Sequence, residues 1–395
     1  MSTAKHSSYV LWLPSWYPCK LTPYDGDFIQ RHARAVSQYI PVHVIHLVRD
    51  KDGKITKDVE IISNHDGELT ETIIYYYSQS FAIPALDSFF SFKKFNRLYK
   101  NFLTGYFEKN GLPSLVHVHI AFKAGVIARW IKKNTGLEYL LTEQWTAYLE
   151  EAKPNLRDLS FSSQYLISKI ITEASLILPV SHYLAKAIMR RWPTVECEIV
   201  PNVVNTEIFY PQNKTETTVL RLIHISTLTN QKDPEVLFEA MGILIKKGVD
   251  FTLDVIGPAN EYILSLIKKE GIEERVTLRG EMPQTELAGL LRKSDALILY
   301  SRYETFGCVI IEANACGLPV IVPDTQLMHE LVQHGANGVL VHPGSAPALA
   351  EALINFAATK NSFSKNEIAK KAADKYSFSR IGKMYADIYS RYTGR

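Results

Sequence analysis

The chain has 395 residues, of which 46% are hydrophobic and 22% charged, and its formal net charge is +3. At roughly 100 to 200 residues per domain, this length predicts two or three domains, and the hydrophobic fraction excludes a globally disordered chain. The charge is compatible with an anionic ligand or membrane surface, but it lacks the concentrated positive charge of a nucleic-acid-binding protein. We therefore expect no nucleic-acid partner.

The sequence lacks the apolar runs expected of a secreted or membrane-spanning protein. Residues 1–8 have no apolar stretch of the kind found in a secretory signal, and no apolar run approaches the roughly 18 residues that span a bilayer. The cysteines are scattered and form no C-x-x-C pair, which favours a reducing compartment: Cys19, Cys197, Cys308 and Cys316. These features predict a cytoplasmic protein.

Short β-branched runs alternate with helical patterns in the first half of the chain. The predicted helices include residues 28–39 and 121–133, where apolar residues recur at helical spacing. The predicted strands are residues 9–13, 42–48, 73–77, 115–120, 139–142 and 176–180. Buried strands with intervening helices predict a parallel sheet built from βαβ units.

A second series of the same kind follows a polar break at residues 211–218. Its predicted strands are residues 220–225, 251–256, 276–278, 296–300, 319–322 and 338–341. We therefore predict an α/β fold with two tandem Rossmann-like parallel-sheet domains and a ligand cleft between them. The expected segments are a first domain at 1–200, a second at 201–375 and a final helix at 376–395. The sequence leaves open whether this helix packs on the second domain or crosses back to the first.

Several familiar catalytic motifs are absent from the sequence. It contains no G-x-G-x-x-G after a strand, no G-x-x-x-x-G-K-[ST] and no G-x-S-x-G, which argues against dinucleotide redox chemistry, Walker-type ATP hydrolysis and an α/β-hydrolase. His329 and His334 would point about 140° apart on a helix, which favours a surface pair over a zinc site. Asp25-Gly26-Asp27 resembles a metal-binding DxD pair, but its position just before a helix favours helix capping.

Residues 301–320 are the most informative segment. A buried strand at 296–300 enters a polar turn, Gly307 permits a close backbone approach, and an apolar helix follows. The start of such a helix favours a phosphate, because its free N–H groups and its dipole attract an anion. Glu304 and Glu312 stand on either side, where carboxylates can accept hydrogen bonds from sugar hydroxyls. Either glutamate alone would indicate only a helix-terminal acid or a solvated side chain.

The segment as a whole resembles a known family. Glu304 and Glu312, with Phe306 and Gly307 between them, match the E-x7-E motif of the retaining glycosyltransferases of family 4, which share the GT-B fold. The resemblance extends over nearly the whole chain, through residues 16–18, 26–28, 116–119, 178–181, 200–205, 232, 278–280, 336–338 and 376–378. It implies retaining transfer of a sugar from a UDP- or GDP-type nucleotide-diphosphate donor to an acceptor hydroxyl, with no cofactor and no bound metal.

The resemblance also implies roles for individual residues on the donor side. Lys232 would neutralise the departing diphosphate, Glu304 would orient the donor sugar, and Glu312 would bind the ribose. The other donor-binding positions would be Phe306, Gly307 and Cys308 at the phosphates, Arg279 and Gly280 at the base, and Thr227 and Arg302.

The first domain would supply the side of the cleft that faces the transferred sugar and the acceptor. By the same resemblance, His119 joins Glu304 and Lys232 in the catalytic set. The other first-domain positions would be Gly26 and Asp27 in the opening loop, and Glu143 and Gln144 in a later turn.

Three departures from the family pattern bear on donor binding. Thr227 stands where the family commonly has an arginine, so that a neutral hydrogen bond replaces a charge, and Arg279 or Arg302 would have to compensate. Gln144 replaces a usual histidine. Residues 325–330 lack the usual glycine pair. A catalytically inactive relative that serves as a nucleotide-binding scaffold is therefore one alternative.

Two further hypotheses remain open. A GT-B-fold epimerase acting on sugar nucleotides would use His117, His119 and Glu143 as acid and base.

Residues 81–107 hold nine aromatic residues with interspersed lysine and arginine, which indicates either an ordinary amphipathic helix or peripheral contact with an anionic membrane. The resemblance to family 4 also implies a glycan or lipid-linked acceptor in bacterial surface polysaccharide or glycolipid assembly, including lipopolysaccharide and exopolysaccharide. The expected location is the inner face of the plasma membrane.

Overall fold

The computed structural model describes residues 9–213 and 217–393 of the chain. The N-terminal residues 1–8 lie outside the described residues, as do residues 214–216 within the predicted polar break. Two sheets of mostly parallel strands form the framework, one in each half of the chain. The predicted α/β organisation is therefore confirmed.

The first sheet consists of β1 Val10–Pro14, β2 Val42–Asp50, β3 Val59–Asp66, β4 Leu69–Tyr77, β5 Leu115–His119, β6 Tyr139–Glu143 and β7 Leu176–Pro179. Its spatial order is β3-β4-β2-β1-β5-β6-β7. Neighbouring strands are parallel, except that β3 forms an antiparallel hairpin with β4 at the sheet edge. This hairpin was not predicted, because most side chains of β3 are exposed and the strand has no buried apolar run.

Helices connect these strands and cover both faces of the sheet. They are α1 Asp27–Ser37, α2 Pro84–Asn110, α3 Ala124–Thr135, α4 Phe161–Glu173 and α5 His182–Arg191. Helix α1 buries an apolar stripe that includes Ile29, Ala33 and Val36, while Arg31 and His32 of the same helix are also buried. Within the described ranges, every helix is too short or too polar to cross a bilayer.

The second sheet consists of β8 Leu220–Ile225, β9 Phe251–Ile256, β10 Val276–Gly280, β11 Ala296–Ile298, β12 Val320–Pro323 and β13 Gly338–Val341. Its strands are all parallel, in the order β10-β9-β8-β11-β12-β13. The accompanying helices are α6 Pro234–Lys246, α7 Glu261–Glu270, α8 Gln284–Lys293, α9 Cys308–Ala315, α10 Met328–Leu331, α11 Ala346–Thr359 and α12 Lys365–Tyr376. Because α10 ends at Leu331, the predicted helix-surface pair of His329 and His334 is wrong.

The final helix, α13 Phe378–Thr393, crosses back to the first domain. It packs along α1 and buries Ile381, Tyr385, Ile388 and Tyr389. The Tyr389 hydroxyl lies 2.5 Å from Nδ1 of His117 in the core of the first sheet. The first domain therefore has its core completed by the end of the chain.

Candidate active site in the cleft between the domains

A cavity of about 690 Å³ lies between the two sheets. Residues that directly follow parallel strands line it: Trp16 after β1, Gln144 after β6, Thr227 after β8 and Gly257 after β9. The carboxyl ends of parallel strands are where such sheets bind ligands. The cavity therefore occupies the position at which the sequence predicted an active site.

The start of helix α9 faces this cavity. Gly307 precedes the helix with a φ of 91°, a backbone conformation that glycine adopts without strain, and no side chain caps the first turn. Gly307, Cys308 and Val309 all line the cavity. Burial raises the pKa of the Cys308 thiol to about 12, so the first side chain of the helix is neutral near pH 7. Free N–H groups and the positive end of the helix dipole thus meet at the cavity wall.

Lys232 and Glu304 form an ion pair beside this helix start. Lys232 ends a short 3-10 turn after β8, and its ammonium nitrogen contacts Oε1 of Glu304. Oε1 of Glu304 also accepts a hydrogen bond of 2.8 Å from the hydroxyl of Ser301. Both Lys232 and Glu304 line the cavity. The structure therefore brings together two residues that lie far apart in sequence and for which the resemblance implied roles at the donor.

Glu312 lies in the same helix and is paired across the cleft with Arg31. Nη1 of Arg31 donates to Oε1 of Glu312 at 2.5 Å, and both side chains are 5% exposed. Burial raises the pKa of Glu312, and the charge of Arg31 opposes that rise. Burial alone would lower the pKa of Arg31, but the carboxylates of Asp27 and Glu312 raise it above its ordinary value, so the guanidinium stays charged. Glu312 is thus not the solvated side chain that its position alone indicated.

Arg31 was not recognised as a site residue from the sequence. It lies one helical turn after Asp27, and Nη2 of Arg31 is 3.3 Å from Oδ2 of Asp27. Asp27 also accepts a hydrogen bond of 3.0 Å from the side chain of Gln284 in the second domain. The residue before α1 is Gly26, and no side chain caps that helix. The capping interpretation of Asp27 is therefore wrong, because its carboxylate binds a guanidinium and an amide at the cleft.

Several predicted site residues do not line the cavity. Arg302 is paired with Asp233 at 2.7 Å, and Arg279 with Asp254 at 2.6 Å. Each arginine is therefore paired with its own aspartate, and neither lies in the cavity lining beside the neutral Thr227. The other predicted residues outside the lining are Gly26, Gly280, His119 and Glu143.

His119 and Glu143 are buried behind the cleft in the first domain. The His119 ring lies 4.0 Å from the ring of Trp12 and 4.2 Å from that of His117, and burial lowers its pKa well below the ordinary value. Glu143 accepts hydrogen bonds of 2.7 Å from the Ala121 N–H and from the Tyr148 hydroxyl. The acid and base of the epimerase hypothesis therefore lie outside the lining of the cavity in this structure.

The remaining predicted site residues line the cavity. They are Asp27, Gln144, Thr227, Lys232, Glu304, Phe306, Gly307, Cys308 and Glu312. In the part of the chain that the structure describes, no group of three histidine, cysteine, aspartate or glutamate residues is arranged to hold a metal ion.

Comparison with known sequences shows which proteins this chain is similar to. Residues 205–375 match the sequence model described as glycosyl transferases group 1. This match covers most of the second domain. The chain is 28% identical over 255 residues to N-acetyl-alpha-D-glucosaminyl L-malate synthase of Bacillus anthracis, covering 61% of this chain and 64% of that enzyme. It is 29% identical over 173 residues to alpha-D-kanosaminyltransferase of Streptomyces kanamyceticus, covering 42% and 45%. The matches therefore span less than two thirds of these relatives.

Solved structures resemble the whole chain and not only the segment that matches the sequence model. Sucrose-phosphate synthase from Thermosynechococcus elongatus superposes with a TM-score of 0.78 at 19% identity, covering 98% of this chain and 99% of that one. Anabaena Alr3699/HepE in complex with UDP and glucose gives a TM-score of 0.70 at 17% identity, covering 98% and 100%. The two-domain fold is therefore GT-B, as predicted.

Proposed function

We propose that the protein is a retaining glycosyltransferase of family 4 that moves a sugar from a nucleotide-diphosphate donor to an acceptor hydroxyl. The observation that carries this proposal is the Lys232–Glu304 pair, which lines the cleft cavity beside the uncapped start of α9. The match of the second domain to group 1 glycosyltransferases supports the same activity. The resemblance to family 4 supports retention.

The charges in the cleft suit the departure of a diphosphate. The ammonium of Lys232 and the N–H groups of α9 would stabilise the negative charge that develops on the leaving oxygen. Glu304, held by Lys232 and Ser301, would accept hydrogen bonds from the donor sugar. We propose that this charge stabilisation proceeds without a bound metal and that the leaving phosphate takes the proton of the acceptor.

The first-domain wall suits an acceptor that carries sugar or other ring surfaces. Trp16, Tyr24, Phe28 and Trp145 line the cavity on that side. Aromatic faces with a few polar groups are typical of sites that orient organic ligands. We propose a glycan or lipid-linked acceptor in bacterial surface polysaccharide or glycolipid assembly, a setting that rests on the family resemblance.

Helix α2 offers a surface for peripheral contact with the membrane that would hold a lipid-linked acceptor. Its middle packs Phe95, Tyr99 and Leu103 into the core, whereas the apolar side chains at its start are exposed: Phe81, Ile83, Leu86, Phe89 and Phe90. Exposed aromatic residues beside lysine and arginine favour binding to an anionic interface. We propose that this patch brings a cytoplasmic enzyme to the inner face of the membrane.

Flotation with liposomes tests the membrane proposal. At low salt, the wild type is expected to float with vesicles that contain anionic lipid and to stay behind with zwitterionic vesicles. The double variant Phe89→Ser, Phe90→Ser should lose flotation, because it removes apolar surface without changing charge. Absence of wild-type flotation with anionic vesicles at low salt would contradict the proposal.

A donor screen with product analysis tests the activity. The wild type is mixed with UDP-, GDP- and ADP-sugars in EDTA, with and without a mixture of glycan acceptors, and the products are followed by proton NMR. The expected result is release of one nucleoside diphosphate and a product with the anomeric configuration of the donor. Lys232→Ala should lower turnover by about a hundredfold to a thousandfold, as removal of a transition-state charge contact does.

The same screen separates the alternatives. An epimerized donor in the absence of acceptor would indicate the epimerase. Inversion at the anomeric carbon, or turnover that requires an added metal, would contradict the mechanism. Binding of a nucleotide without turnover of any donor would favour the scaffold. The exposed Lys246 on α6 provides a matched control, since Lys246→Ala should leave turnover unchanged.

A further inference from the structure

Arg31 is a buried cation on the first-domain wall of the cleft cavity. One terminal nitrogen is bound to Glu312, and the other lies 3.4 Å from Oδ1 and 3.3 Å from Oδ2 of Asp27. Its Nε is buried and has no hydrogen-bond partner among the residues that the structure describes. Buried donors are nearly always satisfied, so an orphaned N–H at a cavity wall indicates a missing acceptor.

Arg31 reaches helix α9 through its bond to Glu312, which lies one helical turn after Cys308, and both Arg31 and Cys308 line the cavity. The positive charge of Arg31 also opposes the rise that burial causes in the pKa of Cys308. Cys308 is the first residue of the helix. The guanidinium therefore lies near the N–H groups that would meet a phosphate.

The second domain alone supplies little positive charge for a diphosphate. Of the lysines and arginines that the structure describes there, Lys232 is the one that lines the cavity. Thr227 is neutral, and Arg279 and Arg302 are paired with aspartates away from the wall. Among its described residues, the first domain contributes two cations to the cavity lining, Arg31 and Arg34, and of these Arg31 is buried whereas Arg34 is exposed.

We propose that Arg31 is a donor-binding residue supplied by the first domain, whose guanidinium holds Glu312 and also donates to the diphosphate of the bound nucleotide. This inference rests on the proposed function. Arginine suits the task, because its planar fork carries five N–H donors and can serve a carboxylate and a phosphate together. Because the cation and Lys232 lie on different domains, the anion site is complete only when the cleft is closed.

Nucleotide titrations separate contact with the diphosphate from a role through Glu312 alone. The probes are whichever of UDP, GDP and ADP binds the wild type most tightly, and its parent nucleoside. The readout is the ratio of the nucleoside dissociation constant to that of the diphosphate, which isolates the contribution of the two phosphates. The variants are Arg31→Gln, Glu312→Gln and the double variant, which leaves no uncompensated buried charge.

The ratio is expected to fall about tenfold to a hundredfold in Arg31→Gln and in the double variant, as loss of a charge-assisted hydrogen bond does. In Glu312→Gln it should stay within about threefold, although the binding of both probes weakens. Arg129→Gln is the matched control, since Arg129 is a first-domain arginine paired with Glu173 outside the cavity. It should behave as the wild type.

Equal weakening of both probes in Arg31→Gln would overturn the inference, because Arg31 would then act only through Glu312 or domain closure. An unchanged ratio in the folded double variant would also overturn it while leaving the proposed function intact. If the wild type binds none of the three diphosphates, the proposed function fails, and the inference fails with it.

Discussion

Glu143 is a buried carboxyl group held in a polar pocket behind the cleft. Burial raises its pKa to about 7, and the hydrogen bonds from Tyr148 and the Ala121 N–H limit that rise. The ordinary value of this group is near 4.5. At pH values between these two pKa values, Glu143 stays protonated in the folded protein but is deprotonated in the unfolded chain. Its contribution to the free energy of unfolding therefore decreases as the pH rises through this window.

Glu143→Gln should remove that dependence on pH. The amide is neutral and similar in shape. The free energy of unfolding of the variant should therefore increase relative to that of the wild type as the pH rises from about 5 to about 7.5. The slope of the difference cannot exceed about 1.4 kcal/mol per pH unit. Urea unfolding of both proteins across this pH range measures the difference between their free energies of unfolding. The titration of other groups cancels in this difference, because it affects both proteins equally. A difference that stays constant would show that Glu143 does not titrate in this window.

At the scale of single residues, motif spacing predicted more than isolated residues did. The placement of Glu304, Glu312 and Gly307 together could be predicted because they lie on one strand–turn–helix segment whose order is visible in the sequence. Arg31 was missed, since a lone arginine in an amphipathic helix looks like a surface residue. The pairing of Arg279 with Asp254 could not be predicted, because it depends on the register of β10 on β9, which the sequence does not reveal.

Among the secondary-structure elements, the helix pair α1 and α13 connects the end of the chain to the cleft. Helix α1 carries Asp27 and Arg31 at the cavity, and α13 supports α1 from behind. At Gly382 the two helices approach so closely that an added Cβ would overlap the carbonyl oxygen of Ala35. The sequence predicted a final helix at 376–395, but the partner of this helix could not be predicted, because either domain could have covered its apolar face.

Gly382→Ala should destabilise the protein despite the higher helix propensity of alanine. The clash with the backbone of α1 is expected to cost about 1–3 kcal/mol in the free energy of unfolding, the range for an overpacked contact. Gly105→Ala in α2 is the matched control, because a Cβ there meets nothing within 4 Å. It should be neutral or stabilising by up to about 1 kcal/mol. Denaturant unfolding measures both, and equal stability of the two variants would contradict the close packing of α13 on α1.

At the scale of the whole molecule, polar contacts hold the two domains together across the cleft. The Ser181 hydroxyl donates to the Thr305 carbonyl, and the Thr305 hydroxyl donates to the Gln144 carbonyl, each at 2.8 Å. Glu330 of the second domain accepts the first two N–H groups of α5, from His182 and Tyr183, at 2.8 and 2.7 Å. The domain order was predictable from two series of strands, but these contacts depend on the closure angle, which no local pattern encodes.

Glu330→Ala should weaken closure without unfolding either domain. The carboxylate satisfies N–H groups at the start of α5, and its loss leaves that positive helix end facing the other domain. We expect a larger radius of gyration in X-ray scattering and about tenfold weaker nucleotide binding, since the closed form would be less populated. Glu351→Ala, at an exposed position on α11, is the control. Scattering and affinity that match the wild type would mean that Glu330 does not contribute to closure.

A crystal structure with a saturating nucleoside diphosphate tests the central claim most directly. The account predicts phosphate oxygens within roughly 2.7–3.2 Å of the Lys232 ammonium and of the N–H groups at the start of α9, with the ribose at Glu312. A nucleotide bound elsewhere, or bound in the cleft with its phosphates directed away from α9, would contradict the account.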